Sequence, residues 1–149
     1  MKYSISFIPP QVLDIVEDDA RRLLADAVEA SGGRESLETI FHRVITEECQ
    51  LWIIFGEEDR PITALVTRIE NYSLKRMLNF LFIGGAEMGD WLEDLLYATE
   101  SFAKKHGCEG FELVGRPGWK KVLKKLGWST TFIVCERTFE VQEDVRNVA

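Results

Sequence analysis

The chain has little of the chemistry that usually announces a site. It holds three cysteines, Cys49, Cys108 and Cys135, and two histidines, His42 and His106. The odd cysteine count and wide spacing argue against a disulfide framework. No Cys or His pair has the spacing of a zinc site, so no metal is expected. His106 lies two positions from Cys108 at a helix end, which is not a dyad geometry, and both histidines read as structural or surface groups. A basic excess is also missing: the net charge is −7, with a pI near 4.9. A field of that sign disfavours nucleic acid and anionic membrane surfaces. No run approaches the ~20 apolar residues of a membrane span, and the start, Met1 to Pro10, has no signal-peptide core. A cytoplasmic protein is expected.

What is present is an ordinary globular composition. The chain has 149 residues, 46% of them hydrophobic and 29% charged, too apolar for a disordered segment. That length allows roughly 68–70% of the unfolded surface to be buried without staples. With no linker, repeat or low-complexity stretch, one domain over 1–149 is expected. It divides into an N-terminal strand and two helices (1–50), a core (51–139) and a polar, mobile tail (140–149).

The patterning gives the element order. Residues 2–8 alternate as a short strand ended by Pro9-Pro10. Apolar positions Val12, Ile15, Val16, Leu23, Leu24, Ala27 and Val28 predict a helix over 11–30, stopped by Ser31-Gly32-Gly33. Ser36 starts a second helix. Leu51–Phe55, Ile62–Ile69 and Met77–Ile83 are strand-like, and the short polar turns between them predict an antiparallel meander. A helix follows from about Asp90 to Lys105, then a strand over Phe111–Val114, a lysine-rich helix over Trp119–Leu126 and a last strand over Thr130–Phe139. Lys120, Lys121, Lys124 and Lys125 read as a solvated helix face.

Two junctions can carry a ligand. Between Ile83 and Trp91 a strand ends in Gly84-Gly85 and feeds a helix, whose first N–H groups and dipole suit a phosphate or carboxylate. In the later block Gly115-Arg116-Pro117-Gly118-Trp119, Pro117 stands near a helix start and Arg116 is placed to pair with an anion. The competing reading is purely structural: an arginine that ties down a loop and tryptophans that fill a core.

These residues resemble the GNAT superfamily of acyl-CoA-dependent acyltransferases over 51–139. Leu51-Trp52-Ile53, Gly84-Gly85-Ala86-Glu87-Met88-Gly89-Asp90-Trp91, His106-Gly107-Cys108 and Gly115–Trp119 are similar to the small GNAT-like proteins of tailed phages and prophages. The resemblance implies an α/β (α+β) fold. Its mixed, mostly antiparallel sheet is flanked by helices and splayed between strands ending near Ile83 and Val114. It implies that acetyl-CoA or another acyl-CoA enters the splay, against Phe82, Ile83, Gly84, Gly85, Met88, Gly89, Arg116 and Trp119. The partner would be an amine acceptor.

The sequence also departs from the enzyme pattern. Matched through Leu95-Leu96, the glycines of the family's pyrophosphate loop fall on Asp90 and Leu92. Glu87, Asp90, Glu93 and Asp94 place carboxylates where phosphates would bind. At ~4 Å and an effective dielectric near 20, two like charges repel by about 4 kcal/mol, and by less where solvent screens them. The position of the family's tyrosine acid falls near Leu123. Tyr72 and Tyr97 lie elsewhere in the sequence, and Glu70 and Glu112 stand on strands as candidate bases without a decisive signal. Two readings follow. One is an acyl-CoA-dependent N-acyltransferase of unassigned catalytic residues. The other is a non-catalytic GNAT-fold interaction protein, associated with a phage virion and its proteins.

Overall fold

The computed structural model describes residues 3–85, 89 and 91–140. The chain divides into two units, Met1–Val114 and Gly115–Ala149. In the first unit the order is β1 (Ser4–Ile8), α1 (Leu13–Glu29), α2 (Leu37–Ile45), β2 (Cys49–Phe55), β3 (Pro61–Asn71), β4 (Arg76–Gly85), α3 (Trp91–Lys105) and β5 (Gly110–Leu113). The second unit holds α4 (Gly118–Lys124).

The five strands lie in the sheet in chain order, β1-β2-β3-β4-β5. The first three pairings are antiparallel, as the short polar turns predict, and β4 pairs with β5 in parallel. The parallel step needs a crossover, and α3 supplies it. This is the mixed, mostly antiparallel sheet of the sequence reading.

Each face of the sheet is covered by helix. Leu13, Val16, Ala20, Leu24 and Val28 of α1 recur every three or four residues and form one buried stripe. Ile40, Phe41 and Val44 of α2 do the same, after the Ser36 hydroxyl caps the helix by accepting the Thr39 N–H at 3.2 Å. Both stripes join Cys49, Leu51, Ile53, Ala64 and Val66 in one core. By strand alternation Gln50, Trp52, Leu65 and Thr67 point to the opposite face. There the Phe102 ring of α3 meets Trp52 edge-on at 5.4 Å and Phe7 at 5.8 Å. One polar chain crosses this face: the Trp52 indole N–H donates to the Thr67 hydroxyl (3.1 Å), which donates to Gln50 Oε1 (2.8 Å). A buried indole N–H and amide oxygen are thereby satisfied by one hydroxyl.

Gly84-Gly85 has a packing cause. A Cβ on Gly84 would collide with the Leu23 carbonyl oxygen of α1. Gly85 adopts φ +131, and a Cβ there would stand 2.8 Å from Thr63 Cα and closer still to the Ile62 carbonyl oxygen. Gly84 lets the α1 backbone rest directly on the end of β4, and Gly85 lets the β3 backbone at Ile62 and Thr63 come close.

The expected last strand is the one element that differs. Among the described residues 129–140 no strand forms. Phe132, Ile133 and Val134 are 91%, 78% and 63% exposed, and Phe139 is 80% exposed. Strand propensity expresses how well a side chain fits a half-buried pleated surface, and these residues bury neither face. Of the tail read from sequence over 140–149, residues 141–149 lie outside the described residues. Among the described residues no helix is long and apolar enough to cross a membrane.

Gly84→Ala is expected to destabilise the fold by about 1–3 kcal/mol, the cost of forcing a methyl against backbone. Urea unfolding of the variant beside the parent checks this, and an unchanged midpoint would show that α1 can lift off β4 freely.

Candidate active site at the strand fork

The pairing of β4 with β5 is short. It runs from Met77–Gly110 to Phe80–Leu113 and stops there, while β4 continues through Leu81 to Gly85. On the other side β4 stays paired with β3, up to Thr63–Gly85. The backbone of Leu81–Gly85 therefore has one paired edge and one edge without a strand partner among the described residues.

The cause is local. Thr67 pairs with Phe80 but Val66 pairs with Phe82, so Leu81 is one extra residue on β4. Such a bulge bends its strand and raises its twist. Leu81 and Phe82 both pack against the core under α1 and α2. The strands part at the residue where the bulge sits.

The residues expected to line the splay divide accordingly. Phe82, Ile83, Gly84 and Gly85 form the free edge of β4, with Phe82 turned to the α1 core and Ile83, paired with Leu65, to the opposite face. Gly84 serves α1 packing and Gly85 the close approach of the β3 backbone, besides bordering the fork. Gly89 lies just before α3, and its carbonyl accepts the Leu92 N–H at 3.2 Å. Met88, with Ala86, Glu87 and Asp90, lies outside the described residues. Arg116 and Trp119 belong to the second unit, where the Arg116 carbonyl accepts the Trp119 N–H at 3.1 Å. In that unit Leu123 is the buried residue of α4, and the four lysines of the helix and its end are exposed.

The structure adds a constellation that the sequence reading leaves scattered. Arg68, Glu70 and Tyr72 alternate along β3 and its exit, so all three project to one face. Cross-strand pairing puts Cys49, Arg68, Asn79 and Glu112 in one row on that same face. The Arg68 guanidinium Nε–H donates to the Glu70 carboxylate. The Tyr72 hydroxyl, 40 positions away in sequence, donates to Glu112 Oε2 at 2.8 Å. Tyr72, separate from Glu112 in the sequence reading, is thus tied to it. Glu112 stands one register step before Phe80–Leu113, the last pair ahead of the fork. Its other oxygen, Oε1, is buried without a hydrogen-bond partner among the described residues.

Electrostatics follow the geometry. The hydrogen bond to the Glu112 carboxylate, with smaller help from desolvation and the charges of Glu112 and Glu70, pushes the Tyr72 phenol up to about 12. Burial pushes the Cys49 thiol up to about 11 against the opposing charges of Arg68 and Arg43, and burial also raises Cys108. Neither buried thiol is an activated nucleophile. His106 packs on the Phe102 ring at 4.1 Å, with Nδ1 2.9 Å from the Phe102 carbonyl. Among the described residues no cluster of three or more His, Cys, Asp or Glu is arranged to hold a metal ion.

No family model matches the sequence, and no curated protein matches it either. Solved structures do. The tetramutant of the BH1408 protein from Bacillus halodurans superposes with a TM-score of 0.71 at 15% identity, over 91% of this chain and 99% of that one. Glucosamine-6-phosphate N-acetyltransferase from Arabidopsis thaliana superposes with 0.63 at 15% identity, over 94% and 100%. A predicted acetyltransferase from Clostridium acetobutylicum, solved with acetyl-CoA, gives 0.65 at 13% identity, over 92% and 96%. At these identities the likeness is one of fold, and the fold is the GNAT fold.

Tyr72 binds its proton more tightly in the folded chain than in the unfolded one. Its contribution to stability is therefore fully present below pH ~10, the unfolded value, and is lost as pH rises through about 12. Glu112→Gln should return one phenol to the ordinary tyrosine range. Ultraviolet titration checks this, with Tyr3 and Tyr97 as the remaining phenols; an unaltered titration would mean the bond to Glu112 is absent in solution.

Proposed function

We propose that this chain is an acyl-CoA-dependent N-acyltransferase, and that the edge of β4 over Leu81–Gly85 receives the acyl-CoA. The observation that carries the reading is the fork itself. Half-buried backbone beside a parted strand leaves N–H and C=O groups in need of partners. An extended arm bearing amides, as in the pantetheine of CoA, pairs with such an edge as an added strand does. The free edge is thus a fit for that arm, and the acetyl-CoA held by the Clostridium acetobutylicum neighbour supports the same ligand class.

When bound, acyl-CoA supplies an activated thioester carbonyl. The chain's own part is positioning. Backbone N–H groups near Ile83 polarise an oxygen placed against them, a preorganised donor effect that needs no charged side chain. Leu81, Phe82 and Ile83 shield the arm from water. Family-type acid chemistry from α4 is not available, since Leu123 carries no proton to give.

A second reading keeps the same fold without catalysis. Glu93 and Asp94 occupy the first turn of α3, where they favour the helix dipole but oppose phosphates. On this reading the chain is an interaction protein. The phage-type sequence blocks would make it one associated with virion proteins, in the host cytoplasm or the particle.

Isothermal calorimetry with acetyl-CoA decides between them. A Kd at or below ~100 μM, roughly −5.5 kcal/mol, is expected of the enzyme. Absence of heat at millimolar ligand would leave only the interaction protein.

A further inference from the structure

The polar row beside the fork holds one carboxylate oxygen that no described residue uses. Arg68, in the same row, is occupied by Glu70. Glu112 makes no ion pair among the described residues, and Tyr72 engages only its Oε2. Oε1 is left buried and without a donor among the described residues. A desolvated carboxylate oxygen with no donor is costly, and a charged donor relieves it most.

The geometry points to Glu112 as the anchor for a primary ammonium group, and so as the residue that selects the acceptor; this rests on the acyl-transfer reading for the acceptor's role. The place is right for it. Glu112 lies one register step, roughly 3.3 Å along the strand, before the point where β4 and β5 part. It projects to the face carrying Asn79, Arg68, Glu70 and Tyr72. A primary ammonium brings three donors. One satisfies Oε1, and the Asn79 amide oxygen, the register neighbour of Glu112, is an acceptor for another. The Tyr72 ring, 49% exposed, offers an aromatic surface to the same cation. An anionic or neutral acceptor gains none of these contacts. With Arg68 neutralised by Glu70, the formal charge left in the row is the single negative charge of Glu112. The hydroxyl of Tyr72 does not compete for Oε1, because it already donates to Oε2.

The test uses the full chain and two probes of matched shape, n-butylammonium and n-butanol, followed by amide chemical shifts. Butylammonium is expected to move the resonances of Tyr72, Asn79 and Glu112 saturably, with a Kd on the order of 10 mM, and n-butanol to leave them in place. Glu112→Gln should weaken butylammonium at least tenfold, while Glu109→Gln, an exposed neighbour on the same approach to β5, should not. Equal responses to both probes, no response to butylammonium, or an unchanged affinity in Glu112→Gln would each overturn the proposal. If Glu112→Gln does not fold, the comparison of the two probes on the parent chain still decides. Acetyl-CoA calorimetry on the same samples separates the two claims. Ammonium binding without acetyl-CoA binding supports this site and removes only the transfer reading. Acetyl-CoA binding without an ammonium response does the reverse.

Discussion

The single extra residue at Leu81 sets the shape of everything around it. It sits at the point where β5 ends, one residue past the last pair, Phe80–Leu113. With it, Val66 faces both Leu81 and Phe82, the strand turns, and β5 is left behind after Phe80. The bulge is held because both of its side chains enter the core under α1 and α2. A one-residue slip of β4 would flip its whole apolar set to the other face. Burial of Leu81 and Phe82 on one side, and of Leu78 and Phe80 on the other, therefore fixes where the fork opens.

Gly84 completes that constraint from outside the sheet and Gly85 from within it, against β3. The α1 backbone at Leu23 sits against Gly84 with no room for a methyl group. A helix placed so close can hold the strand end down while its β5 side has no strand partner among the described residues. Two demands that usually conflict are met together: a rigid strand and a free backbone edge. The same glycines looked, in sequence, like an anion-binding turn. Their contacts give them a mechanical cause that stands whether or not an anion ever binds.

Much of this was legible before any coordinates. The two N-terminal helices, the Ser36 cap and the three-strand meander follow from apolar period and turn residues and form as expected. The buried stripe of α1, however, is turned from the expected one: Val16, Leu24 and Val28 are buried with Leu13 and Ala20, while Val12 and Ile15 are exposed. The bulge left a trace too. Leu78 and Phe80 keep a period of two, and then Leu81-Phe82-Ile83 breaks it, which is what a phase change in a strand looks like. The Tyr72–Glu112 bond left almost none, because 40 residues and a crossover helix separate the partners and only the parallel pairing joins them. Its one local hint is the Arg68, Glu70, Tyr72 alternation. The Thr130–Phe139 segment misled for the opposite reason: its residues have strand propensity, but propensity needs a surface to bury against, and the described residues there stay exposed.

The acidic start of α3 and the polar row on β3–β5 then bear on function in different ways. Glu93 and Asp94 work against phosphate binding at one place, the helix start, and exposure weakens their effect. The free edge of β4 offers backbone pairing to a ligand's amides, which charge does not cancel. If the phosphates of a CoA sit less well here, the arm must supply more of the binding, and the edge over Leu81–Gly85 is where it can. Electrostatics at the far side run with this division. A negative carboxylate at Glu112 disfavours an anionic acceptor and favours a cationic one. On the proposed acyl-transfer reading, backbone would organise the acyl side of the site and a single side-chain charge the amine side.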